Sequence, residues 1–76
     1  MADEEIHIGH IIQQRLLSEE RTVSWLARKL NCDRSNIYRI FEKQSISIDL
    51  LWRLSEVLNY NFFDVYSRRF KEREEI

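Results

Sequence analysis

Two short segments with helical hydrophobic spacing lie only three residues apart in the middle of the chain. The first covers 23–30 (VSWLARKL) and the second covers 34–41 (RSNIYRIF), with Asn31, Cys32 and Asp33 between them. So short a connection allows only a tight corner, because the chain must change direction within it. The two segments are therefore expected to pack directly against each other as a pair of helices.

Each segment gathers its hydrophobic side chains on one face. Leu26 and Leu30 lie four residues apart on the first segment. The second segment carries a matching inward stripe of Ile37, Ile40 and Phe41. We expect the two faces to cross at a steep angle around the small side chain of Ala27, because a larger one would push the second helix away.

The residues of the corner suit a sharp turn between helices. Asn31 is expected to adopt the left-handed conformation, which asparagine tolerates better than most residues. Asp33 is expected to be the N-cap of the second helix, its carboxylate accepting from the backbone N–H of Ser35 or Asn36. Cys32 is expected to be a small buried apolar residue rather than a reactive thiol.

The second helix of the pair has a polar outer face. At about 100° per residue, Ser35, Tyr38, Arg39 and Glu42 point outward, with Arg34 and Asn36 on the flanks. Guanidinium, hydroxyl, amide and phenol groups are able to bond the base edges and phosphates of DNA. Because any solvated helix is polar outside, this face indicates a function only together with the small-residue crossing, the asparagine corner and the cap.

Three further segments have helical spacing. The first carries an apolar stripe that ends near Ser18 and consists of Ile8, Ile11, Ile12 and Leu16. Ser47 can cap another helix, which stops at Asn59 and turns Leu51, Leu54 and Leu58 inward, with Leu50, Trp52 and Val57 broadening that face. Asn61 can cap a last helix with an aromatic stripe of Phe62, Phe63, Tyr66 and Phe70.

Composition favours helices throughout. The 76 residues include no proline and a single glycine, Gly9, which disfavours a turn-rich β architecture. The length allows one domain, and 43% hydrophobic residues suffice for a small core. We therefore predict an all-α, compact bundle of about five short helices. This single domain spans 1–76 and is folded over about 6–70, with an acidic start (1–5) and a charged tail (71–76) that fray.

Charge is unevenly distributed along the chain, although its sum is only −1. From Arg21 to Lys43 there are six basic residues against two acidic ones, a local charge of +4, and the remainder carries −5. The acidic residues gather mainly near the two ends and at Glu19 and Glu20. The helix pair is thus the basic part of a molecule whose net charge is slightly negative. This asymmetry would orient the protein on DNA, while the net charge of −1 implies only a modest non-specific affinity for DNA.

With these features the chain resembles the phage-repressor-like, or XRE-family, helix-turn-helix domains. The resemblance covers residues from about 8 to 66. Its specific part is 22–41 (TVSWLARKLNCDRSNIYRIF), and 47–60 (SIDLLWRLSEVLNY) looks like the family's fourth helix and the turn that follows. Members of this family, which includes lambda repressor-like domains, are compact five-helix bundles that bind operator DNA, usually as dimers on palindromic sites.

The resemblance implies roles for particular residues. The helix-turn-helix would span 23–42, the recognition helix over about 34–41 would enter the major groove, and the helix after Thr22 would meet a phosphate with its N-terminus. Base-edge and nearby contacts are expected from Arg34, Ser35, Asn36, Tyr38 and Arg39. Phosphate contacts are expected from Thr22, Ser24 and Lys43.

Two positions depart from the family pattern. Val23 stands where many members have a glutamine that bonds phosphate and braces the recognition helix. Glu42 faces outward on the expected DNA side, where its charge would repel phosphate unless Arg39 or Lys43 neutralises it. Both departures bear on specific contacts rather than on the fold.

Catalytic and metal sites find little support. His7 and His10 are three residues apart, yet no third ligand stands at a suitable spacing, so we expect solvated histidines and no metal. There is no glycine-rich phosphate loop, no nucleophile elbow and no evident carboxylate pair. We expect no enzyme, no cofactor and no small-molecule substrate. Trp25 and Trp52 are expected to be core or half-buried aromatics rather than ligand-stacking residues.

The expected location is the cytoplasm. A single cysteine cannot form an internal disulfide. No segment approaches the roughly 20 apolar residues of a membrane span, and residues 1–5 lack the basic and apolar regions of a signal peptide. These features predict a cytosolic protein without membrane association.

Two interpretations of the last aromatic stripe remain open. In one, Phe62, Phe63 and Tyr66 close the core and Phe70 is partly exposed on a fraying tail. In the other, Tyr66 and Phe70 form a two-fold homodimer seam that sets two recognition helices one DNA turn apart.

The main hypothesis is a small bacterial or phage transcriptional regulator that binds a double-stranded DNA operator in a sequence-specific manner. The alternative is a protein–protein interaction module or antitoxin-like adaptor that keeps the helix-turn-helix fold without strong DNA binding. It is motivated by the acidic sum, by Val23 and by Glu42.

Overall fold

Helices account for most of residues 5–74, the part of the chain that the computed structural model describes. Five follow one another: α1 (Ile8–Ser18), α2 (Val23–Leu30), α3 (Arg34–Glu42), α4 (Ile48–Leu58) and α5 (Phe63–Glu74). Within 5–74 there is no strand. The predicted all-α bundle of five short helices is confirmed.

The core lies between the inward faces of the helices. It comprises Ile8, Ile12, Leu16, Leu26, Ala27, Leu30, Ile37, Ile40, Phe41, Leu51, Leu54, Leu58 and Phe62, all of them buried. Helix α3 packs against both α1 and α2, and α2 also packs against α4. The buried stripes that helical spacing predicted are therefore confirmed, and they hold α3 from two sides.

Helix ends are set mostly by local chemistry. The hydroxyl oxygens of Thr22 and Ser47 accept from the backbone N–H of Trp25 (3.0 Å) and Leu50 (3.1 Å). At the other ends of α2 and α4, Asn31 and Asn59 adopt the left-handed conformation, with φ of 57° and 52°. The predicted corner at Asn31, and the start and stop of α4, are confirmed.

Asp33 occupies the N-cap position of α3, but the prediction for its side chain is wrong. Its backbone is extended (φ −84°, ψ 158°), as an N-cap requires, yet the carboxylate makes no capping hydrogen bond. The Asp33 carbonyl instead accepts from the backbone N–H of Asn36 at 3.0 Å. The side chain is exposed, where water competes for the carboxylate.

Trp52 does not broaden the core face of α4, contrary to expectation. Its side chain is 58% exposed. The position lies roughly a third of a turn from the middle of the buried stripe, whereas Leu50 and Val57 lie closer to it and are half-buried. The indole contacts Phe63 instead, with ring centroids 6.3 Å apart.

Helix α5 extends further than the boundary near residue 70 that the sequence favoured. An ion pair links Asp64 to Arg68 one turn on (2.8 Å), and Lys71 and Arg73 lie in the last turn, where the helix dipole favours cations. The helix begins at Phe63, whose N–H donates to the Asn61 side chain at 3.1 Å. The predicted fraying covers 1–5 and 71–76, of which 1–4 and 75–76 lie outside the described residues.

Close packing of α1 on the end of α3 depends on Gly9, which the sequence had marked only as the single glycine. The N–H groups of Ile8 and Gly9 donate to the carbonyls of Gln44 (3.1 Å) and Lys43 (3.0 Å). A Cβ at position 9 would overlap the carbonyl oxygens of Ile40 and Phe41. Glycine is therefore required there for the backbones to approach.

Candidate nucleic-acid interface

The candidate interface is the outer face of α3. Ile37, Ile40 and Phe41 are buried beneath it. The opposite side chains are exposed, namely Arg34, Ser35, Asn36, Tyr38, Arg39 and Glu42. The division expected from helical spacing is thus present, and the core residues anchor the helix while the polar groups remain accessible.

Contacts within α3 orient two of the exposed side chains. The edge of the Tyr38 ring meets the Phe41 ring at 88°, with centroids 6.1 Å apart, so the core limits the freedom of the phenol. The Arg39 guanidinium donates to the Asn36 side-chain oxygen at 3.4 Å, a weak bond. These contacts reduce the conformational entropy that the two side chains would lose on binding a ligand.

Basic side chains of the helix-turn-helix remain available for an anion. Within 5–74 the ion pairs join Arg15 to Glu19 and Arg68 to Asp64. Neither pair involves Arg34, Arg39 or Lys43, which are all exposed. Glu42 is exposed as well and has no ion pair with Arg39 or Lys43 in this part of the chain, so its negative charge is not neutralised there.

Among the described residues, the backbone N–H groups of Val23 and Ser24 at the N-terminus of α2 have no hydrogen-bond partner and lie beside two hydroxyl side chains. Thr22 is exposed and Ser24 is half-buried. The Thr22 oxygen accepts from Trp25, which leaves its O–H free to donate. With the positive end of the helix dipole, this arrangement can bind a phosphate.

Two cationic side chains contact the Trp25 ring near the N-terminus of α2, and neither contact was predicted from the sequence. The guanidinium of Arg21 lies over the indole, 4.5 Å from the ring centroid, and the ammonium of Lys29 lies 5.8 Å away. The expectation that Trp25 is half-buried is met. A signal was present, because Arg21 and Lys29 stand four residues before and after the tryptophan.

The aromatic stripe of α5 divides between core and surface. Phe62 is buried and Phe63 is half-buried, whereas Tyr66 is 38% and Phe70 63% exposed. Partial burial raises the pKa of the Tyr66 phenol above its ordinary value. The core-closing interpretation therefore holds for Phe62 and in part for Phe63, while Tyr66 and Phe70 leave an apolar surface on α5.

The two histidines and the cysteine have structural surroundings. His10 is exposed, while the half-buried His7 accepts from the backbone N–H of His10 through Nδ1 (3.2 Å), so it caps α1. Cys32 is half-buried against the core rather than fully buried. Across 5–74 no three His, Cys, Asp or Glu side chains are grouped to hold a metal ion.

None of the helices in 5–74 is both long and apolar enough to cross a membrane. Comparison with curated proteins and with solved structures gave no match. A family model, described as Helix-turn-helix, matches residues 12–65. The match begins within α1 and ends within α5, and it includes the whole of α2, the corner and α3. The chain therefore belongs to the XRE-type, lambda repressor-like helix-turn-helix family of DNA-binding domains.

Proposed function

We propose that the protein binds double-stranded DNA in a sequence-specific manner and acts as a small transcriptional regulator in the cytosol. One observation carries the proposal. The outer face of α3 presents Arg34, Ser35, Tyr38 and Arg39 on a helix that the core holds rigidly. A helix about 10–12 Å wide fits the major groove, which is about 12 Å across.

The roles of individual side chains follow from their positions. Arg34 and Ser35 open α3, whose N-terminal residues reach deepest into the groove in this docking geometry. Arg39 can fork onto the O6 and N7 of a guanine, and Asn36 and Tyr38 can bond neighbouring groups. Thr22, Ser24 and Lys43 would contact phosphates and set the orientation of α3.

A homodimer on a palindromic operator is part of the proposal. Tyr66 and Phe70 stand four residues apart on α5, on one helix face, and both are exposed. A second copy would cover them with the same patch, because a two-fold interface is self-complementary. No catalytic step, cofactor or small-molecule substrate belongs to this function.

The experiment is selection of bound sequences from a random duplex library at two salt concentrations. The variant to compare carries Arg34→Ala and Arg39→Ala. A matched control carries Lys71→Ala and Arg73→Ala, which remove the same charge from exposed positions on α5. We expect an enriched motif for the wild type and the control, and no enrichment for the Arg34 and Arg39 variant. Failure of the wild type to enrich any motif would refute sequence-specific binding.

A second candidate is the adaptor that binds a protein and not DNA. It is favoured by the unneutralised Glu42 on the α3 face and by exposed apolar side chains on α4, where Ile48 is 73% and Trp52 58% exposed. Under this function the wild type enriches no motif, and its DNA binding is weak and strongly salt-dependent. The selection therefore separates the two candidates.

A further inference from the structure

A cleft of about 290 Å³ lies between the corner of the helix-turn-helix, α3 and α4. Its polar lining consists of Asn36 and Arg39 from α3, Lys43 just after α3 and Arg53 from α4, and no carboxylate lines it among the described residues. Three basic side chains thus line one concave surface. Their mutual repulsion in the free protein would be relieved by an anion bound between them.

Arg53 is held in place by the C-terminal end of α2. One of its Nη atoms donates to the carbonyl of Leu30 at 3.3 Å, where the negative end of the helix dipole attracts a cation. This bond uses one of the five N–H donors of the guanidinium. The bond to Leu30 thus fixes the position of the Arg53 side chain, while its remaining N–H donors stay available to a second partner.

Docking of α3 in a major groove would bring this cleft to one strand of the duplex. The strands that border the groove run along the two flanks of an inserted helix. Asn36 and Arg39 are three residues apart and share the flank of α3 that faces α4, and Lys43, the residue just after α3, lines the cleft beside them. A phosphate of the bordering strand would enter between this flank and Arg53.

We infer that the cleft is a binding site for one phosphate of the DNA backbone, with Arg53 and Lys43 as its principal ligands. This inference rests on the proposed function and adds to it a contact from α4, outside the helix-turn-helix. A guanidinium can bind two phosphate oxygens at once, and Lys43 supplies a second charge. The contact carries no sequence information; it fixes the depth and register of α3 in the groove.

The test measures how the DNA affinity depends on salt, for the wild type, Arg53→Gln, Arg53→Lys and the control Arg73→Gln. Two duplexes are used, the motif selected by the wild type and a scrambled version. Each neutralised phosphate contributes about 0.9 to the slope of log affinity against log salt. We expect the Arg53→Gln slope to be less steep by about one, with the same fold loss of affinity on both duplexes.

The two other variants separate a phosphate contact from a structural role. Arg53→Lys should keep the slope because it keeps the charge, while it weakens binding because it loses the fork. Arg73→Gln should behave as the wild type. A merely structural loss of the bond to Leu30 would lower thermal stability but leave the slope unchanged.

Three results would overturn the inference. One is an Arg53→Gln slope equal to that of the wild type, and another is an equal fall of slope in Arg73→Gln. In both cases the wild type still binds its motif, so the proposed function stands while the phosphate site does not. The third is a wild type that binds neither duplex, which removes the proposed function as well.

Discussion

The backbone N–H of Gly9 donates to the carbonyl of Lys43 over 3.0 Å and so joins the start of α1 to the end of α3. Helix α3 carries the candidate interface, and its own last turn has carbonyls without partners inside the helix. The neighbouring N–H of Ile8 donates to Gln44 in the same way. The end of α3 is therefore positioned by a segment more than 30 residues away in the sequence.

Replacement of Gly9 by alanine should destabilise the protein. Alanine favours a helix over glycine by about 1 kcal/mol, but its Cβ would overlap two backbone carbonyls that cannot move without displacing α3. We expect a net loss of roughly 1–3 kcal/mol in the free energy of unfolding, measured by urea denaturation and circular dichroism. Gln14→Ala, on the exposed side of α1, should change it by less than about 0.5 kcal/mol. If the unfolding free energy of Gly9→Ala equals or exceeds that of the wild type, α1 can move away from the end of α3 without loss of stability.

Residues with left-handed backbone conformation allow a second test of stability. Glu20 has φ of 60° at the end of α1, a conformation that is unfavourable for a residue with a Cβ and rare for glutamate. Glu20→Gly should therefore raise the free energy of unfolding by about 0.5–1 kcal/mol, while Asn31→Ala should lower it by about 1 kcal/mol. Thermal unfolding would measure both. Gln14→Gly is the control and should destabilise by about 1 kcal/mol, because glycine is unfavourable inside a helix. A Glu20→Gly protein that loses as much would contradict the expected strain.

Capping residues should differ in their contribution to stability according to their hydrogen bonds. Thr22→Ala and Ser47→Ala each remove a side-chain acceptor for a backbone N–H and should cost about 1 kcal/mol of unfolding free energy. Asp33→Ala removes no such bond and should cost less than either. Chemical denaturation monitored by tryptophan fluorescence compares the three variants. A larger loss for Asp33→Ala would mean that its carboxylate caps α3 in solution.

The role of Arg39 can be determined by comparing the affinity of a variant for two DNA duplexes. If the side chain forks onto a guanine, Arg39→Ala should weaken binding to the selected motif by about 1–3 kcal/mol and binding to a scrambled duplex by much less. Lys43→Ala, which would lose a phosphate contact, should weaken both equally. Fluorescence anisotropy titrations at fixed salt give the affinities. Equal losses for Arg39→Ala on both duplexes would assign Arg39 to a phosphate instead.

Phe70→Glu tests the homodimer. The side chain is 63% exposed, so the substitution should change the unfolding free energy of a monomer by no more than about 0.5 kcal/mol. In a two-fold seam it would place two carboxylates close together and separate the subunits. We expect a shift from dimer to monomer in sedimentation velocity and weaker binding to a palindrome. Gln14→Glu, at an exposed position on α1, is the control for the added charge. A wild type that sediments as a monomer at operator-binding concentrations would exclude the seam.

Sequence alone was sufficient for much of the fold because the relevant forces act over one or two helical turns. Hydrophobic periodicity located α1 to α4 and their buried residues. Asn31, Asn59, Thr22 and Ser47 mark helix ends through bonds and backbone angles that are local to each residue. The polar outer face of α3 follows from the same periodicity, since fixing its inner face fixes the other.

Tertiary structure decided what depends on the placement of helices that are distant in sequence. The requirement for glycine at position 9 arises only when α1 meets the carbonyls of α3, and Arg53 is anchored only because the end of α2 lies beside α4. The contact of Trp52 with Phe63 likewise depends on the placement of α5 beside α4. Local patterns thus determined which faces would be buried, whereas the close backbone contacts and the basic lining of the cleft required the packed helices.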